Sequence, residues 1–541
     1  MRACGCQVTC YRLSCYRLPL ASLSDHPYPF GRSSTSSTAR NCGRRTAGHL
    51  QRLHFKVAGA IGVLTAAPVL MSKATEEIYV SLKRHLKGTL LRPDDAEYPE
   101  ASRIWNGLVA RRPGLIARCR DSSDVQAVVH AAGSAGVITA VRCGGHSLAG
   151  FGTCDDGLVI DLSPMRKVQV FPEARYARFE GGCLLGSIDL VTQAVGLAFP
   201  SGVVSHTGAG GLVLGGGTGW LNRLYGLSCD NVRGFTVVVA DGSVVRVSAS
   251  ENSDLFWALR GGGGNFGVVT EFEVTLHPVG SVLFGRGICL GDEVRGLLRH
   301  WRDFMPEAPD NLRWGFSLRI ASHEKDIPTE ARGRPIASAS ALWVGDLEEG
   351  RRYVDRAFAV GNQKAVTKEV VSFNALQRMA DSDFPHDRRY YTKSGYFKSL
   401  NDESIDIMIE ALATNPSPTN EIELAYLGGA AARVAASETA FGDRSSPFVL
   451  NLLGNWSDPA NDAANISWIR TLFVQLRPAM VPGVYVNFMS GDEGDRVPEA
   501  YRGRWERLRA IKTAYDPGNF FHVNQNIPPV TAAASGIPRP N

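Results

Sequence analysis

The sequence predicts an α+β fold, and three observations carry that expectation. From residue 113 onward, short apolar runs of strand length alternate with segments of helical period. Two glycine-dense loops, residues 143–150 and 202–219, break this pattern where tight turns and close backbone approach are needed. Residues 281–500 then mix strand-like runs with helices and show no internal repeat.

The elements follow in order. Residues 1–75 carry ten Lys or Arg against one acid, Asp25, and show no sustained period, so they read as a disordered extension. Such basic, Ser-rich composition also suits a transit peptide. The alternative is that Met71, the second methionine, is the true start, which would favour a cytoplasmic location. Residues 57–70 are apolar but number fourteen, short of the ~20 needed to span a bilayer. Five of the eleven cysteines fall in this extension, yet no histidine completes a zinc-ligand pattern. The rest are scattered without a C-x-x-C pair, so free thiols and no metal are expected.

Residues 115–118 read as a strand, and Ser122 or Ser123 can cap a helix with Val125, Val128, Val129 and Ala132 inward. A buried strand is expected over 136–140, further strands over 158–162 and 177–180, and a helix over 184–195. Residues 237–247 form a hairpin around Asp241-Gly242. A short helix over 253–260 precedes Gly261-Gly262-Gly263-Gly264-Asn265-Phe266-Gly267. That run contains a formal G-x-G-x-x-G, but a helix precedes it and a strand, 268–276, follows. The dinucleotide fingerprint needs the reverse order, so a Rossmann reading is rejected. Later strands are expected at 312–318 and 422–427, with helices at 404–413, 464–476 and 505–515. Residues 531–541 read as a disordered tail.

The chemistry concentrates in the glycine loops. In Cys143-Gly144-Gly145-His146-Ser147-Leu148-Ala149-Gly150, successive N–H groups can point at an anion such as a pyrophosphate, with a histidine at the tip. The second loop, Gly202 to Trp220, has eight glycines in nineteen residues. Together with Asp230-Asn231 and the run Val237-Val238-Val239-Ala240-Asp241-Gly242, these motifs resemble the berberine bridge enzyme-like flavoproteins, over about residues 113–529.

The resemblance implies a two-subdomain FAD-binding domain of the p-cresol methylhydroxylase type over 105–280. It also implies a substrate domain over 281–500, an antiparallel sheet with helices behind it, and a closing segment over 501–530 that returns to the flavin domain. It assigns FAD contacts to Gly144, Gly145, His146, Ser147 and Gly150 in the first loop. In the second loop it assigns Gly208, Gly210, Gly211, Gly215, Gly216, Gly217 and Gly219. Gly267 and Val268 come near the adenine end, and Asn524 and Asn526 come from the closing segment.

In that family a histidine bonds the flavin 8α-carbon, and His146 is the matching residue. A neutral imidazole is a nucleophile, which suits the type; the alternative is non-covalent FAD with His146 as a neighbour. Val204 stands where many members have the cysteine of a second link, and Leu212 where they have histidine, so one covalent bond is expected. Cys143 replaces a usual glycine.

Oxidation of an alcohol or amine needs a base for the O–H or N–H proton. Tyr485, in Tyr485-Val486-Asn487-Phe488, matches a family tyrosine facing the flavin, with Asn487 beside it. A tyrosine at its usual pKa of ~10 needs a nearby cation to act as base, and Lys393 is the candidate; otherwise Tyr485 only orients substrate. Alkaloid-forming members carry an acid after Gly-Gly, whereas Gly428-Gly429 leads to three alanines and Arg433, which argues against an amine-oxidising, C–C-forming activity. Glu421 and Glu423 are nearby acids, and the solvent face of a strand is the commoner place for such charges.

The expected function is oxidation of an alcohol, sugar or related small metabolite by FAD, with O2 as acceptor. The resemblance places Thr207 near the family's oxygen-gating position. The alternatives are an enzyme that oxidises and cyclises a secondary metabolite, and a flavin protein without turnover. A net charge of +5 with no basic run on one face does not point to nucleic acid, and neither a nucleic-acid nor a membrane partner is expected.

Overall fold

The computed structural model describes residues 71–323 and 327–530. The expectations for residues 1–70 and 531–541 lie outside the described residues. The expected extension to residue 75 is too long, because the helix Lys73–Leu82 is already capped by Ser72. Among the described residues, no helix is long and apolar enough to cross a membrane.

Strands β1 (Thr89–Leu91), β2 (Leu115–Arg118), β3 (Thr139–Arg142) and β4 (Leu158–Asp161) form a sheet of order β1-β2-β4-β3. Strand β4 runs parallel to β2 and β3, and β1 is antiparallel to β2. The helix Ser122–Ala135 buries Val125, Val128, Val129 and Ala132 against Leu115, Leu158 and Ile160. Its cap is Asp121 rather than Ser122 or Ser123: the carboxylate accepts from the N–H groups of Ser123 and Asp124. Gly136 closes the helix in the left-handed region at φ 62°. The next strand therefore starts three residues later than expected, with Ile138 left 49% exposed. Arg142 at the end of β3 meets Asp161 at the end of β4 at 2.9 Å, with both side chains buried. That ion pair fixes the takeoff of the first glycine loop.

The second sheet contains β5 (Val168–Phe171), β6 (Tyr176–Glu180), β8 (Val232–Val238), β9 (Val244–Ser248) and β10 (Val268–Thr275), in the order β5-β6-β10-β8-β9. All its pairings are antiparallel. Gly242, at φ 84°, makes the β8–β9 turn, and β8 begins five residues before the expected hairpin. A short pair, β7 (Leu197–Ala198) and β11 (His277–Pro278), stands apart.

The third sheet has seven strands: β12 (Ser281–Leu290), β13 (Leu312–Ile320), β14 (Pro335–Trp343), β15 (Lys364–Ser372), β16 (Arg389–Phe397), β17 (Glu421–Tyr426) and β18 (Phe448–Trp456). Their order is β15-β12-β14-β13-β17-β18-β16, antiparallel throughout. Helices Glu293–Phe304, Leu347–Phe358, Asp402–Ala411 and Asp462–Leu476 cover one face. Leu297, Leu298, Trp301, Ile405 and Ile469 pack there against Trp314, Ile422 and Leu424. Each buried leucine or isoleucine contributes about 1.5–3 kcal/mol. Alternation along the strands then sends every second residue to the opposite face, which the helices do not cover.

The closing segment is anchored by a buried cation. Helix Trp505–Tyr515 places Lys512 where its Nζ donates to Asp516 at 2.6 Å, to the Asn265 carbonyl at 2.7 Å and to the Phe521 carbonyl at 2.9 Å. Asp516 also accepts from the N–H groups of Phe520 and Phe521, and Asn265 Oδ1 accepts from Ile527 N–H. Lys512 thus ties residues 520–527 to the turn that carries Gly267. Lys512→Met leaves Asp516 ionised and buried without its partner, which should cost about 3–5 kcal/mol. Denaturant unfolding at neutral pH should show that loss; an unchanged midpoint would remove Lys512 from this role.

Candidate active site

The two glycine loops cross backbone to backbone. A Cβ on Gly144 would lie 2.5 Å from the Gly208 nitrogen, and one on Gly208 would lie 2.3 Å from the Gly144 nitrogen. Neither position admits a side chain. The Leu185 N–H donates to the Thr207 carbonyl and the Ala209 N–H to the Cys183 carbonyl, which holds the second loop against residues 183–185. The crossing forms one wall of a cavity of about 590 Å³. The Gly267 turn and residues 521–525 close another side, and the uncovered face of the seven-stranded sheet stands opposite. Cys143 keeps an ordinary φ, its thiol donates to the Cys183 carbonyl at 3.4 Å, and burial pushes it up to about 11, so it stays a neutral thiol.

His146 lines this cavity. Its ring stacks on Trp105 at 4.1 Å, and Trp105 stacks in turn on Tyr390 at 3.7 Å. Nε2 of His146 shares a hydrogen bond of 3.0 Å with Nδ1 of His206. Burial, then the neighbouring His206 and His386, hold His146 well below the usual imidazole range. It is therefore the neutral, nucleophilic form at pH 7.

Tyr485 and Asn487 also reach the cavity. The Tyr485 oxygen accepts from Gly217 N–H at 2.8 Å and from Asn487 Nδ2 at 2.9 Å. Burial pushes the phenol up to about 12 despite those donors. Lys393 does not supply the cation suggested for it. On β16, Thr392 faces the cavity, so Lys393 lies on the other side of the strand, paired with Asp492 at 3.0 Å and Glu493 at 3.4 Å.

The glycines divide into two groups. Gly144, Gly145, Ser147, Gly208, Gly210, Gly211, Gly219, Gly267, Val268 and Asn524 line the cavity with His146. Gly150, Gly215, Gly216, Gly217 and Asn526 are not among its lining residues, and other constraints account for the glycines. Gly150 turns at φ 75° against Val109, and Gly215 lies under the Asn487 amide. Gly216, at φ 130°, packs against Phe441 and Tyr485, and Gly217, at φ 81°, against Ser228. These glycines let Tyr485 and Asn487 come close to the loop.

The sheet wall holds residues that the sequence reading left on the surface. Glu421 and Glu423 point into the cavity, because Ile422 between them and Leu424 after them pack into the core under the helix layer. Ser317 Oγ donates to Glu421 at 2.6 Å, and Asn451 Nδ2 donates to Glu423 at 2.7 Å. Burial and then the charge of Glu423 raise Glu421 to about 7; burial also raises Glu423. Arg313 lies 4.5 Å above the Trp220 ring on the same wall. The Glu-x-Glu spacing in an apolar strand was visible, but a strand covered on both faces cannot be told from one with a wet face by alternation alone.

Comparison with known proteins completes the identification. Residues 113–248 match the model of an FAD-binding domain, and residues 484–528 match the berberine and berberine-like family. An FAD-linked oxidoreductase of Dictyostelium discoideum is 30% identical, covering 82% of this chain and 95% of that protein. The (R)-6-hydroxynicotine oxidase of Paenarthrobacter nicotinovorans is also 30% identical, over 82% and 97%. The crystal structure of 6-hydroxy-D-nicotine oxidase from Arthrobacter nicotinovorans superposes with a TM-score of 0.74 at 28% identity, over 82% of this chain and 98% of that one. The class that fold and cavity define is an FAD-binding oxidoreductase. Within it, the chain belongs to the berberine bridge enzyme-like FAD-linked oxidoreductases.

The loop crossing separates two kinds of glycine. Gly208→Ala forces its Cβ into the Gly144 backbone and should lower both the thermal midpoint and the flavin-to-protein absorbance ratio. Gly211, whose Cβ would meet no protein atom within 4 Å, should tolerate alanine with its midpoint unchanged. Equal stability of the two variants would refute the crossing as a structural constraint.

Proposed function

We propose that this protein oxidises a small metabolite at a C–H bond carrying an oxygen or nitrogen, using FAD held by one covalent bond through His146, with O2 as electron acceptor. The observation that carries the proposal is His146 itself: a neutral imidazole, stacked on Trp105 and hydrogen-bonded to His206, at the edge of a cavity walled by two crossed glycine loops. The cavity fits FAD by its backbone cradle, where side chains are excluded, and by the unpartnered Oδ1 of Asn524 in its lining.

Gly144, Gly145 and Ser147, with Gly208, Gly210, Gly211 and Gly219, would hold the cofactor from one side, and Gly267, Val268 and Asn524 from another. Val204 lines the cavity without a thiol, in keeping with a single link. Residues 105–280 would form the FAD-binding domain, 281–500 the substrate domain and 501–530 the closing segment. Bound FAD supplies the two-electron acceptor for the substrate hydride. With O2 as acceptor, the two electrons and two protons would leave as hydrogen peroxide.

The substrate proton needs a separate acceptor, and the wall of β17 suits it better than Tyr485. A base works best with a pKa near the operating pH. Tyr485 sits far above, its oxygen already accepts two hydrogen bonds, and Lys393 is engaged elsewhere. Glu421 sits near 7, raised by burial and by the charge of Glu423. Tyr485 and Asn487 then orient the substrate. A base tuned near neutrality in the cavity favours turnover over a silent flavin carrier.

Acid precipitation of the purified protein should leave the yellow colour in the pellet, and His146→Ala should move it to the supernatant. Colour in the wild-type supernatant would refute the covalent bond and leave FAD binding intact. The glutamate pair shares its wall with Arg313 and Asp383, and Arg319 lies near Glu421. Since the acid form predominates below its raised pKa, kcat/KM should climb as pH rises through about 7. Glu421→Gln should cut kcat by about 10²–10⁴-fold, the range of a lost general base. A flat profile with kcat retained would assign the proton to another group.

A further inference from the structure

We infer that the substrate enters this cavity as a cation: a protonated amine whose N–H groups are received by Glu421, Glu423 and the side-chain carbonyl of Asn451. The inference rests on the proposed oxidoreductase reading and adds the chemical class of its substrate.

The strand register assembles the receptor. Ser338 stands opposite Ser317, Ser317 opposite Glu423 and Glu423 opposite Asn451, so one polar row crosses β14, β13, β17 and β18. All four side chains line the cavity. Two donors within the row point at the carboxylates: Ser317 Oγ gives its hydrogen to Glu421, and Asn451 Nδ2 gives one to Glu423.

One acceptor of the row, the Asn451 carbonyl, has no donor. Asn451 is 5% exposed, and its Oδ1 has no hydrogen-bond partner. Its amide orientation is fixed, because only the NH2 end can donate to the Glu423 carboxylate. A buried carbonyl without a partner is costly, and here it sits beside two carboxylates that repel each other. A neutral alcohol brings one donor. A primary ammonium brings three N–H donors and a positive charge, and so answers the acceptors and the repulsion together.

The remaining charges leave room for it. Arg313 is set over Trp220 and attracts Glu423. Glu421 feels the opposite charge of Arg319 more weakly than the repulsion of Glu423, and Asp383 adds a further negative charge nearby. A carboxylate substrate would add an anion to this wall. The aromatic surfaces of Trp220, Tyr426 and Phe488 in the lining suit a flat hydrocarbon attached to the charged nitrogen. On binding, one proton of the ammonium passes to the carboxylate pair. The nitrogen lone pair is then free, and the adjacent C–H bond can give up its hydride.

The test uses the flavin-loaded protein and three probes of one shape: benzylammonium, benzyl alcohol and benzoate. Binding is read from the perturbation of the flavin spectrum under argon. Benzylammonium should bind at least about tenfold more tightly than benzyl alcohol, since a hydrogen bond to a charged group contributes about 1.5–3 kcal/mol, and benzoate should bind most weakly. Glu421→Gln together with Glu423→Gln should abolish the preference while the pellet colour and flavin content stay at wild-type level. Glu421→Gln alone serves if the double variant does not fold. Equal or tighter binding of the alcohol or benzoate, or a preference that survives the variants, overturns the amine reading. Protein that carries no flavin at all would overturn the underlying oxidoreductase reading instead.

Discussion

The contact between Gly144 and Gly208 is the constraint from which the site follows. Two loops from different parts of the chain meet at backbone distance, each leaving no room for a Cβ on the other. The contact needs β3 and β4 to end together, which the buried Arg142–Asp161 pair secures. It also needs the second loop to lie along residues 183–185, which backbone hydrogen bonds from Leu185 and Ala209 secure. Once the loops cross, His146 has a single place to go: beside His206, on the face of Trp105.

The seven-stranded sheet provides the other half by being buried unequally on its two faces. Its helix-covered face is packed with leucine, isoleucine and tryptophan, so alternation drives the polar partners of those residues into the cavity. Charges in such a place are costly unless they are satisfied by neighbours or by a ligand. The sheet answers in part, with Ser317 and Asn451 donating to the two glutamates. The same strand geometry removes Lys393 from the reaction, because it occupies the position between two inward residues of β16.

The two histidine and glutamate groups show burial acting in opposite senses with one outcome. Burial disfavours the charged form of each. For His146 this yields a neutral nucleophile, and for Glu421 a carboxyl poised near 7. Tyr485, buried in the same cavity and approached by two donors, moves away from neutrality instead and is left as an orienting group.

The sequence by itself determined the α+β class, the two glycine loops, the histidine at the first loop's tip and the family, because each is written in local order and spacing. Helices such as Trp505–Tyr515 and the Asp-Gly hairpin were legible for the same reason. Only the tertiary structure decided which glycines face a ligand and which make way for Tyr485 and Asn487, since both uses demand the same missing side chain. It alone turned Glu421 and Glu423 inward and Lys393 away. A period of two tells which residues share a face of a strand; what covers that face depends on segments hundreds of residues distant, and no local pattern records it.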